Sequence, residues 1–368
     1  MTAPIKRCGG LFAVFFLALA MLAAAPDGVM AQQGGQVPGG SLGASSDSEM
    51  WRAVRGGIQG NVSIPDKQAG VLVQSEGENW RAVRNGPVST YGAWAVLGVV
   101  GLLALFFLLR GRIKIDAGPA GKTIERFATI ERFAHWLMAV PFVILALTGL
   151  NMLYGRYILL PAFGPEFFSL VTQIGKYAHH YLAFPFMVGV AMAFVLWVKH
   201  NIPSRIDLAW MAKGGGLFSK GVHPPSRKFN AGQKLVFWSV TVLGISVSLS
   251  GWALMFPFEY APWSSTFAKL NFIGFSLPTD LTPMHEQQLS QAWHAIVSLV
   301  FIAIIMAHIY IGSVGMEGAF AAMGDGQVDE NWAREHHNLW VAEVKGEPEP
   351  DWRNGGHGHG HTTPAPAE

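Results

Sequence analysis

Residues 289–312 read LSQAWHAIVSLVFIAIIMAHIYIG, an apolar stretch that contains His294 and His308 but no Asp, Glu, Lys or Arg. It is long enough to cross the hydrocarbon core of a bilayer as an α-helix, which takes roughly 20 residues. An ionisable side chain inside such a span is costly and is therefore a functional candidate. The two histidines are 14 residues apart. On one helix they lie roughly 21 Å apart along the axis, close to four full turns, and point the same way.

Four more apolar segments of similar length precede this one. The chain has 368 residues, of which 51% are hydrophobic and only 14% are charged, so a membrane protein fits the composition better than a soluble globular domain. Lipid offers no partner to an unsatisfied backbone group, so each span should be a helix. The sequence therefore predicts an all-α membrane protein. The five predicted spans are 91–109, 134–154, 178–198, 235–257 and 289–312.

Basic residues predict the orientation of these spans. The loop 110–132 carries six Lys or Arg residues and the loop 199–234 carries seven, whereas the loops after the second and fourth spans carry few. Basic loops stay on the cytoplasmic side of a bacterial inner membrane. We therefore expect a multi-pass protein with an exported, periplasmic N-terminus and a cytoplasmic C-terminus.

The two ends of the chain differ from its apolar centre. Residues 1–31 have a basic start and a short apolar run, which predicts a signal peptide, with an uncleaved anchor as the alternative. Residues 32–90 form a polar module in which Trp-Arg-Ala-Val-Arg occurs twice, at 51–55 and 80–84, and which either docks on a partner or is a solvated spacer. Residues 313–368 are predicted to be a cytoplasmic tail with a disordered end that contains a His-Gly run.

Four histidines lie inside predicted spans. Each one alone is explained more simply by a hydrogen bond to a neighbouring helix, but the set is more informative. His135 begins an outward-going helix at the cytoplasmic side and matches His308, while His179 begins an inward-going helix at the outer side and matches His294. The neighbouring His180 leaves the register of His179 open, since adjacent residues differ by about 100° around a helix.

Two histidine pairs at two membrane depths predict two b-type haems, each with one imidazole from each of two facing helices. Filled axial positions leave no room for a substrate, so electron transfer is the expected activity. Zinc fits poorly because imidazoles at two depths do not form one tetrahedron. The single Cys excludes a cysteine-ligated iron–sulfur cluster and an internal disulfide within this chain. A net charge of +2, with His neutral, does not suggest a nucleic-acid partner.

A second group of polar residues opens the fourth span from the basic side. Asn230, Gly232 and Gln233 lie there, near the predicted depth of His308. Side-chain amides can hydrogen-bond a carbonyl headgroup, and glycine lets a ring approach the backbone. Asn is also a common residue at the start of a helix, so helix capping is the alternative interpretation.

Together these segments resemble the cytochrome b gamma subunit of respiratory formate dehydrogenases. The resemblance covers about 123–345, and this chain is a long form with an extra N-terminal region. The segments that carry it are Glu131-Arg132-Phe133-Ala134-His135-Trp136, Gly175-Lys176-Tyr177-Ala178-His179, Lys199-His200-Asn201-Ile202-Pro203, Phe229-Asn230-Ala231-Gly232-Gln233-Lys234, Trp332-Ala333-Arg334-Glu335-His336-His337, and the spacing from His294 to His308.

The resemblance implies a four-helix di-haem cytochrome b domain at 123–312, preceded by one additional transmembrane helix at 91–109. It implies that His179 and His294 hold one haem b, that His135 and His308 hold the other, and that Asn230, Gly232 and Gln233 bind menaquinone or ubiquinone. The expected partners are an iron–sulfur subunit and a catalytic molybdenum or tungsten subunit, which oxidises formate outside the membrane. One departure is His180, which stands where the family often has Pro.

Other functions remain open at this point. Nickel–iron hydrogenases and thiosulfate reductases also have cytochrome b subunits that place haems in a helical bundle. The amide group and the 14-residue histidine spacing favour formate dehydrogenase. A haem-free membrane anchor or transporter, in which the histidines handle protons, is the alternative from another class of protein.

Overall fold

The computed structural model describes residues 77–257 and 259–352, and this part of the chain is mainly helical. The predicted signal peptide, most of the polar module and the end of the tail lie outside the described residues. The helices are α1 (Gly77–Val83), α2 (Ser89–Arg110), α3 (Thr129–Trp197), α4 (Arg205–Ala212), α5 (Ala231–Met255), α6 (Pro262–Phe272), α7 (Pro283–Tyr310), α8 (Ala321–Gly324), α9 (Glu330–His336) and α10 (Asn338–Lys345). The strands are β1 (Thr123–Glu125) and β2 (Gln327–Asp329).

Four helical stretches of the described chain are long and apolar enough to cross a membrane. They are Asn79–Arg110, Thr129–Asn201, Ala231–Met255 and Pro283–Gly315. The all-α membrane fold predicted from the sequence is therefore confirmed. The first stretch contains α1, a π-helical turn at Arg84–Val88 and α2. It begins well before the span predicted at 91–109 and so includes the second Trp-Arg-Ala-Val-Arg copy.

The longest stretch is a hairpin of two antiparallel limbs, 129–163 and 165–197. Gly164 separates them with φ 82° and ψ 171°, a left-handed backbone conformation that glycine adopts without a steric cost. The limbs then pack closely, since a Cβ placed on Gly189 would lie 2.7 Å from the backbone nitrogen of Met138. The hairpin contains two of the predicted apolar segments, which is why five segments occupy four stretches.

One end of the bundle, which we call the basic end, carries the loops 110–132 and 199–234 and the folded part of the tail. Strands β1 and β2 pair antiparallel there, with Ile124 opposite Val328, and join the chain before α3 to the tail. Trp332, Leu339 and Val341 of the tail are all buried. The tail is thus ordered well past the last span, and packing rather than local composition explains this order.

Arg126 organises the basic end. Its side chain is buried and lies 5.6 Å and 5.0 Å from the ring centres of Trp332 and Trp340. Its Nη2 donates a 2.6 Å hydrogen bond to the carbonyl of Lys228 and lies 3.0 Å from Nε2 of His337. One guanidinium, just before the hairpin in sequence, therefore contacts both the loop before α5 and the tail.

Candidate metal centres

The four histidines of the spans form two pairs in the structure. The ring centres of His135 and His308 are 6.2 Å apart, and those of His179 and His294 are 6.1 Å apart. A metal bonds an imidazole nitrogen at about 2 Å, so two opposed imidazoles with one metal between them have ring centres roughly 6 Å apart. The spacing in both pairs therefore suits a bis-imidazole metal centre.

The helices place these pairs at two levels. His308 and His294 both lie on α7, 14 residues apart, while His135 and His179 lie on opposite limbs of the hairpin. Because the limbs are antiparallel, their N-terminal ends lie beside opposite ends of α7. The structure thus brings together the two pairs that the topology predicted, and the binding of haem by them stays a prediction.

Hydroxyl groups orient one of the pairs. Nδ1 of His179 lies 2.8 Å from Oγ1 of Thr148, and Nδ1 of His294 lies 3.0 Å from Oγ of Ser250. Each hydroxyl also donates to the carbonyl four residues earlier, Ile144 in the case of Thr148. A hydroxyl has one hydrogen, so it accepts from the imidazole, which must carry its proton on Nδ1. Nε2 of both rings is then left with a free lone pair, as a metal ligand requires.

The other pair has a different environment. Nδ1 of His135 is buried and has no hydrogen-bond partner among the described residues. The side chain of His135 is half-buried and that of His308 is exposed, although the two rings face each other at 6.2 Å. A buried imidazole without a protein partner is a suitable metal ligand, and the two centres should differ in their electronic properties because only one has hydroxyl partners.

A cavity of about 450 Å³ surrounds the His179–His294 pair, and it is lined mainly by apolar side chains. Two glycines lie beside the rings. A Cβ placed on Gly251 would lie 3.3 Å from Cε1 of His294, and one placed on Gly149 would lie 3.5 Å from Cε1 of His179. Mostly apolar cavities of several hundred Å³ are typical of cofactor sites. The cavity volume, the donor set and the glycine walls therefore fit a flat, iron-containing cofactor.

The structure also shows which of the adjacent histidines His179 and His180 faces His294. His180 is half-buried and also lines the cavity, but the ring that faces His294 belongs to His179. His180 is therefore positioned to contact a bound cofactor from the side rather than along the axis between the paired rings.

The amide group at the start of α5 forms a reciprocal helix cap. Oδ1 of Asn230 accepts a 2.9 Å hydrogen bond from the backbone N–H of Gln233, and Oε1 of Gln233 accepts a 3.1 Å bond from that of Asn230. Gly232 lies under an indole, since a Cβ placed on it would lie 3.0 Å from Cη2 of Trp210. The carbonyl oxygens of both amides serve the cap, and their NH₂ groups are the atoms that can donate to a ligand.

This cap lies at the level of one histidine pair. Nζ of Lys228, two residues before Asn230, lies 2.7 Å from Oε1 of Glu131, which is one helical turn before His135. The structure therefore brings the amide group to the end of the bundle that holds the His135–His308 pair.

The folded tail buries a histidine that lies outside the spans. His337 is 1% exposed, and its Nδ1 lies 2.8 Å from the carbonyl of Arg227. Nearby, the side chains of Asp116, His223 and Glu335 have potential ligand atoms within 4.8 Å of one another. Both oxygens of Glu335 accept backbone N–H groups, and Asp116 pairs with His223 at 3.2 Å, so these residues join the loop 110–132 to the tail. The adjacent His336-His337 pair beside Trp332 was the available sequence signal.

Sequence comparison identifies proteins that are similar to this chain. The sequence profile described as "Prokaryotic cytochrome b561" matches residues 126–326, more than half of the chain. The chain is 26% identical over 227 residues to the "Formate dehydrogenase, nitrate-inducible, cytochrome b556(Fdn) subunit" of Escherichia coli K12, covering 61% of this chain and 93% of that protein. It is 26% identical over 224 residues to the cytochrome b556(fdo) subunit of the same strain, covering 61% and 94%. A Haemophilus influenzae formate dehydrogenase cytochrome b556 subunit is 25% identical over 229 residues, covering 60% and 83%. The resemblance inferred from the sequence motifs is therefore confirmed.

Proposed function

The chain belongs to the prokaryotic cytochrome b561 family, and we propose that it is the membrane cytochrome b subunit of a formate dehydrogenase that passes electrons from formate oxidation to a quinone. This proposal rests on one observation. Four histidines form two facing pairs at two levels of one helical bundle, with ring centres 6.2 Å apart in the His135–His308 pair and 6.1 Å apart in the His179–His294 pair. The relatives named above support the choice of formate dehydrogenase.

The histidines hold the two cofactors in this proposal. His179 and His294 bind one haem b, and His135 and His308 bind the other. Two bis-imidazole haems supply one-electron transfer between the two levels of the bundle. Thr148 and Ser250 hold the first pair of rings with Nε2 free, so that this site is oriented before the cofactor binds.

The quinone binds near Asn230, Gly232 and Gln233 at the basic end. The NH₂ groups of the two amides donate to a headgroup carbonyl, because their oxygens already serve the helix cap. The ring of Trp210, which covers Gly232, offers an apolar face to a quinone ring.

The two levels give the protein its role in energy conservation. We place the basic end on the cytoplasmic side of a bacterial inner membrane, because this end of the bundle carries the basic loops. Moving an electron from the outer to the inner side against an inside-negative potential stores about 2.3 kcal/mol per 100 mV. Protons taken up by the quinone on the cytoplasmic side then complete the charge separation without a proton channel.

The proposed partners follow from the formate dehydrogenase subunits that this chain resembles. Formate oxidation requires a catalytic subunit with molybdenum or tungsten, and an iron–sulfur subunit must connect it to this chain. Both partners lie on the periplasmic side, next to the His179–His294 pair. The predicted module 32–90, most of which is outside the described residues, is proposed to face them.

The decisive experiment is purification of the chain with its native partners, followed by spectroscopy and an activity assay. We expect b-type absorption bands equivalent to two haems per chain, reduction of both by formate, and reoxidation by a quinone analogue. Absence of b-type haem would favour an anchor or a transporter. Reduction by hydrogen or thiosulfate but not by formate would move the chain to a different respiratory complex.

A further inference from the structure

The cavity around His179 and His294 receives a cationic side chain from the N-terminal extension. Arg84 is the only Lys or Arg among the described residues that line this cavity. It is the last residue of the second Trp-Arg-Ala-Val-Arg copy, and it precedes the part of the chain matched by the cytochrome b561 profile. The extension therefore contributes a charge to a site whose histidines come from the bundle.

The backbone around Arg84 is held by specific contacts. Arg84 begins the π-helical turn Arg84–Val88, and its carbonyl accepts a 2.7 Å hydrogen bond from the hydroxyl of Ser89. The hydroxyl of Tyr154 on the hairpin donates a 2.9 Å bond to the carbonyl of Ser89. Single π-helical turns occur often at functional sites. These contacts hold the backbone of Arg84 against the first limb of the hairpin, 129–163, which also carries Gly149.

The guanidinium lies at the edge of the cavity. Its Nη1 donates a 2.8 Å hydrogen bond to Oδ1 of Asn85, and its Nη2 donates a 3.3 Å bond to the carbonyl of Met152. Met152 itself lines the cavity. Both of these acceptors are neutral, and the positive charge of Arg84 has no carboxylate partner among the described residues. A guanidinium has further N–H groups to donate.

A b haem brings two propionate carboxylates into a site that is otherwise mainly apolar. Carboxylates that leave bulk water need hydrogen-bond donors and an opposite charge, and the planar guanidinium of Arg supplies both. The other polar residues that line the cavity include Gln287 and Gln291, which carry no charge. Arg84 is therefore the residue of this lining that is best suited to an anionic group.

We propose that Arg84 binds a propionate of the haem held by His179 and His294, so that the N-terminal extension completes this cofactor site. The inference rests on the proposed function. It gives the second Trp-Arg-Ala-Val-Arg copy a role within the chain, in addition to any contact that the module makes with a partner. A positive charge at this position favours the reduced haem, because reduction adds an electron nearby.

The test uses the intact complex with four variants. Arg84→Leu removes the charge, and Arg84→Lys keeps the charge but not the guanidinium fork. Arg81→Leu is the matched control, since Arg81 lies three residues earlier in α1 and does not line the cavity. Potentiometric titration of the haem absorption bands, together with the haem content per chain, gives the midpoint potential and the occupancy of each haem. His179→Ala identifies which component belongs to this site.

We expect Arg84→Leu to lower the midpoint potential of the haem at His179 and His294, with the other haem unchanged. Arg84→Lys should restore most of the wild-type value, and Arg81→Leu should not change it. Loss of this haem alone in Arg84→Leu, with retention in Arg84→Lys, also supports the inference. Two haems with wild-type potentials in Arg84→Leu, or an equal shift in Arg81→Leu, would overturn it. A wild-type chain without b haem would instead overturn the proposed function itself.

Discussion

The hydroxyl of Thr148 lies 2.8 Å from Nδ1 of His179, across the two limbs of one hairpin. The same hydroxyl donates to the carbonyl of Ile144, so it accepts the imidazole proton. Ser250 makes the equivalent contact to His294. An imidazole that donates from Nδ1 is a more basic ligand through Nε2. In the proposed function these two hydroxyls would therefore tune the haem at His179 and His294 and not the other haem.

We predict that Thr148→Val raises the midpoint potential of the haem at His179 and His294. The reason is that a less basic imidazole stabilises the oxidised iron less. The shift should stay within about 60 mV, the one-electron equivalent of a tenfold change in an equilibrium constant. The matched control is Thr241→Val, because Thr241 also donates to a carbonyl four residues earlier, at Phe237, but has no bond to a histidine. An equal shift in both variants would show that the hydroxyl acts only through helix structure.

The pairing of the histidines makes a separate spectroscopic prediction. His135→Ala and His308→Ala should each remove the same b-type component, and His179→Ala and His294→Ala should each remove the other. The physical reason is that one iron needs both imidazoles of its pair, and the ring centres of the pairs are only 6.2 Å and 6.1 Å apart. The measurement is the low-temperature absorption spectrum of each reduced variant. Removal of one common component by His135→Ala and His294→Ala would contradict this pairing.

Features that depend on residues close in sequence were predictable. The apolar segments and the 14-residue spacing of His294 and His308 led to the helices and to the two levels, because a helix converts spacing into depth. The cap formed by Asn230 and Gln233 was the stated alternative for that segment, and the structure shows it directly. Local rules of helix geometry and capping are enough for such features.

Features that depend on distant contacts were not predictable in the same way. The tail reads as polar, yet Trp332 and Val341 are buried because Arg126, more than 200 residues earlier, packs among the tail aromatics. The first helical stretch also begins before the apolar segment 91–109, and a hydropathy pattern does not show that Ser89 bonds to Tyr154 on another helix. Nothing in the pattern of the extension indicated that Arg84 reaches a cavity of the bundle.

The basic end should lose stability at acidic pH. Burial, with smaller effects of the charges on His223 and Arg126, lowers the pKa of His336 to about 4, and burial also lowers the pKa of His337 well below its usual range. Both histidines are then neutral in the folded tail, whereas the unfolded tail binds their protons below about pH 6.5. Their contribution is complete above that pH and is lost as the pH falls toward the folded pKa values.

For His336 alone the loss between pH 6.5 and pH 4 amounts to about 3 kcal/mol. The measurement is hydrogen exchange of amides in α9 and α10 at a series of pH values, corrected for intrinsic exchange rates. His336→Asn should flatten part of this dependence, because Asn does not titrate. Protection of α9 and α10 that is constant from pH 7 to pH 4 would show that these histidines are protonated in the folded state.

The last prediction separates helix capping from quinone binding at the start of α5. Truncation of Asn230 or Gln233 to Ala removes both functions, since each oxygen accepts a backbone N–H within the cap. Asn230→Asp and Gln233→Glu are sharper, because Asp is a favoured N-cap residue and Glu suits the third helical position of a capping box. Each of these changes keeps the acceptor oxygen and removes the NH₂ donor.

We expect both variants to keep wild-type thermal stability and both haems, and to be reduced by formate at the normal rate. Their haem reoxidation by a quinone analogue should slow several-fold or more, since a hydrogen bond to a partly buried headgroup is worth on the order of 1 kcal/mol and a carboxylate repels a quinone carbonyl. Stopped-flow reoxidation, compared with thermal unfolding of the same variants, decides the question. Asn230→Ala serves as the reference, because it should also lower stability by about 1 kcal/mol. Wild-type rates of haem reoxidation in Asn230→Asp and Gln233→Glu would show that this amide group serves only as a helix cap. The quinone would then bind elsewhere on the bundle.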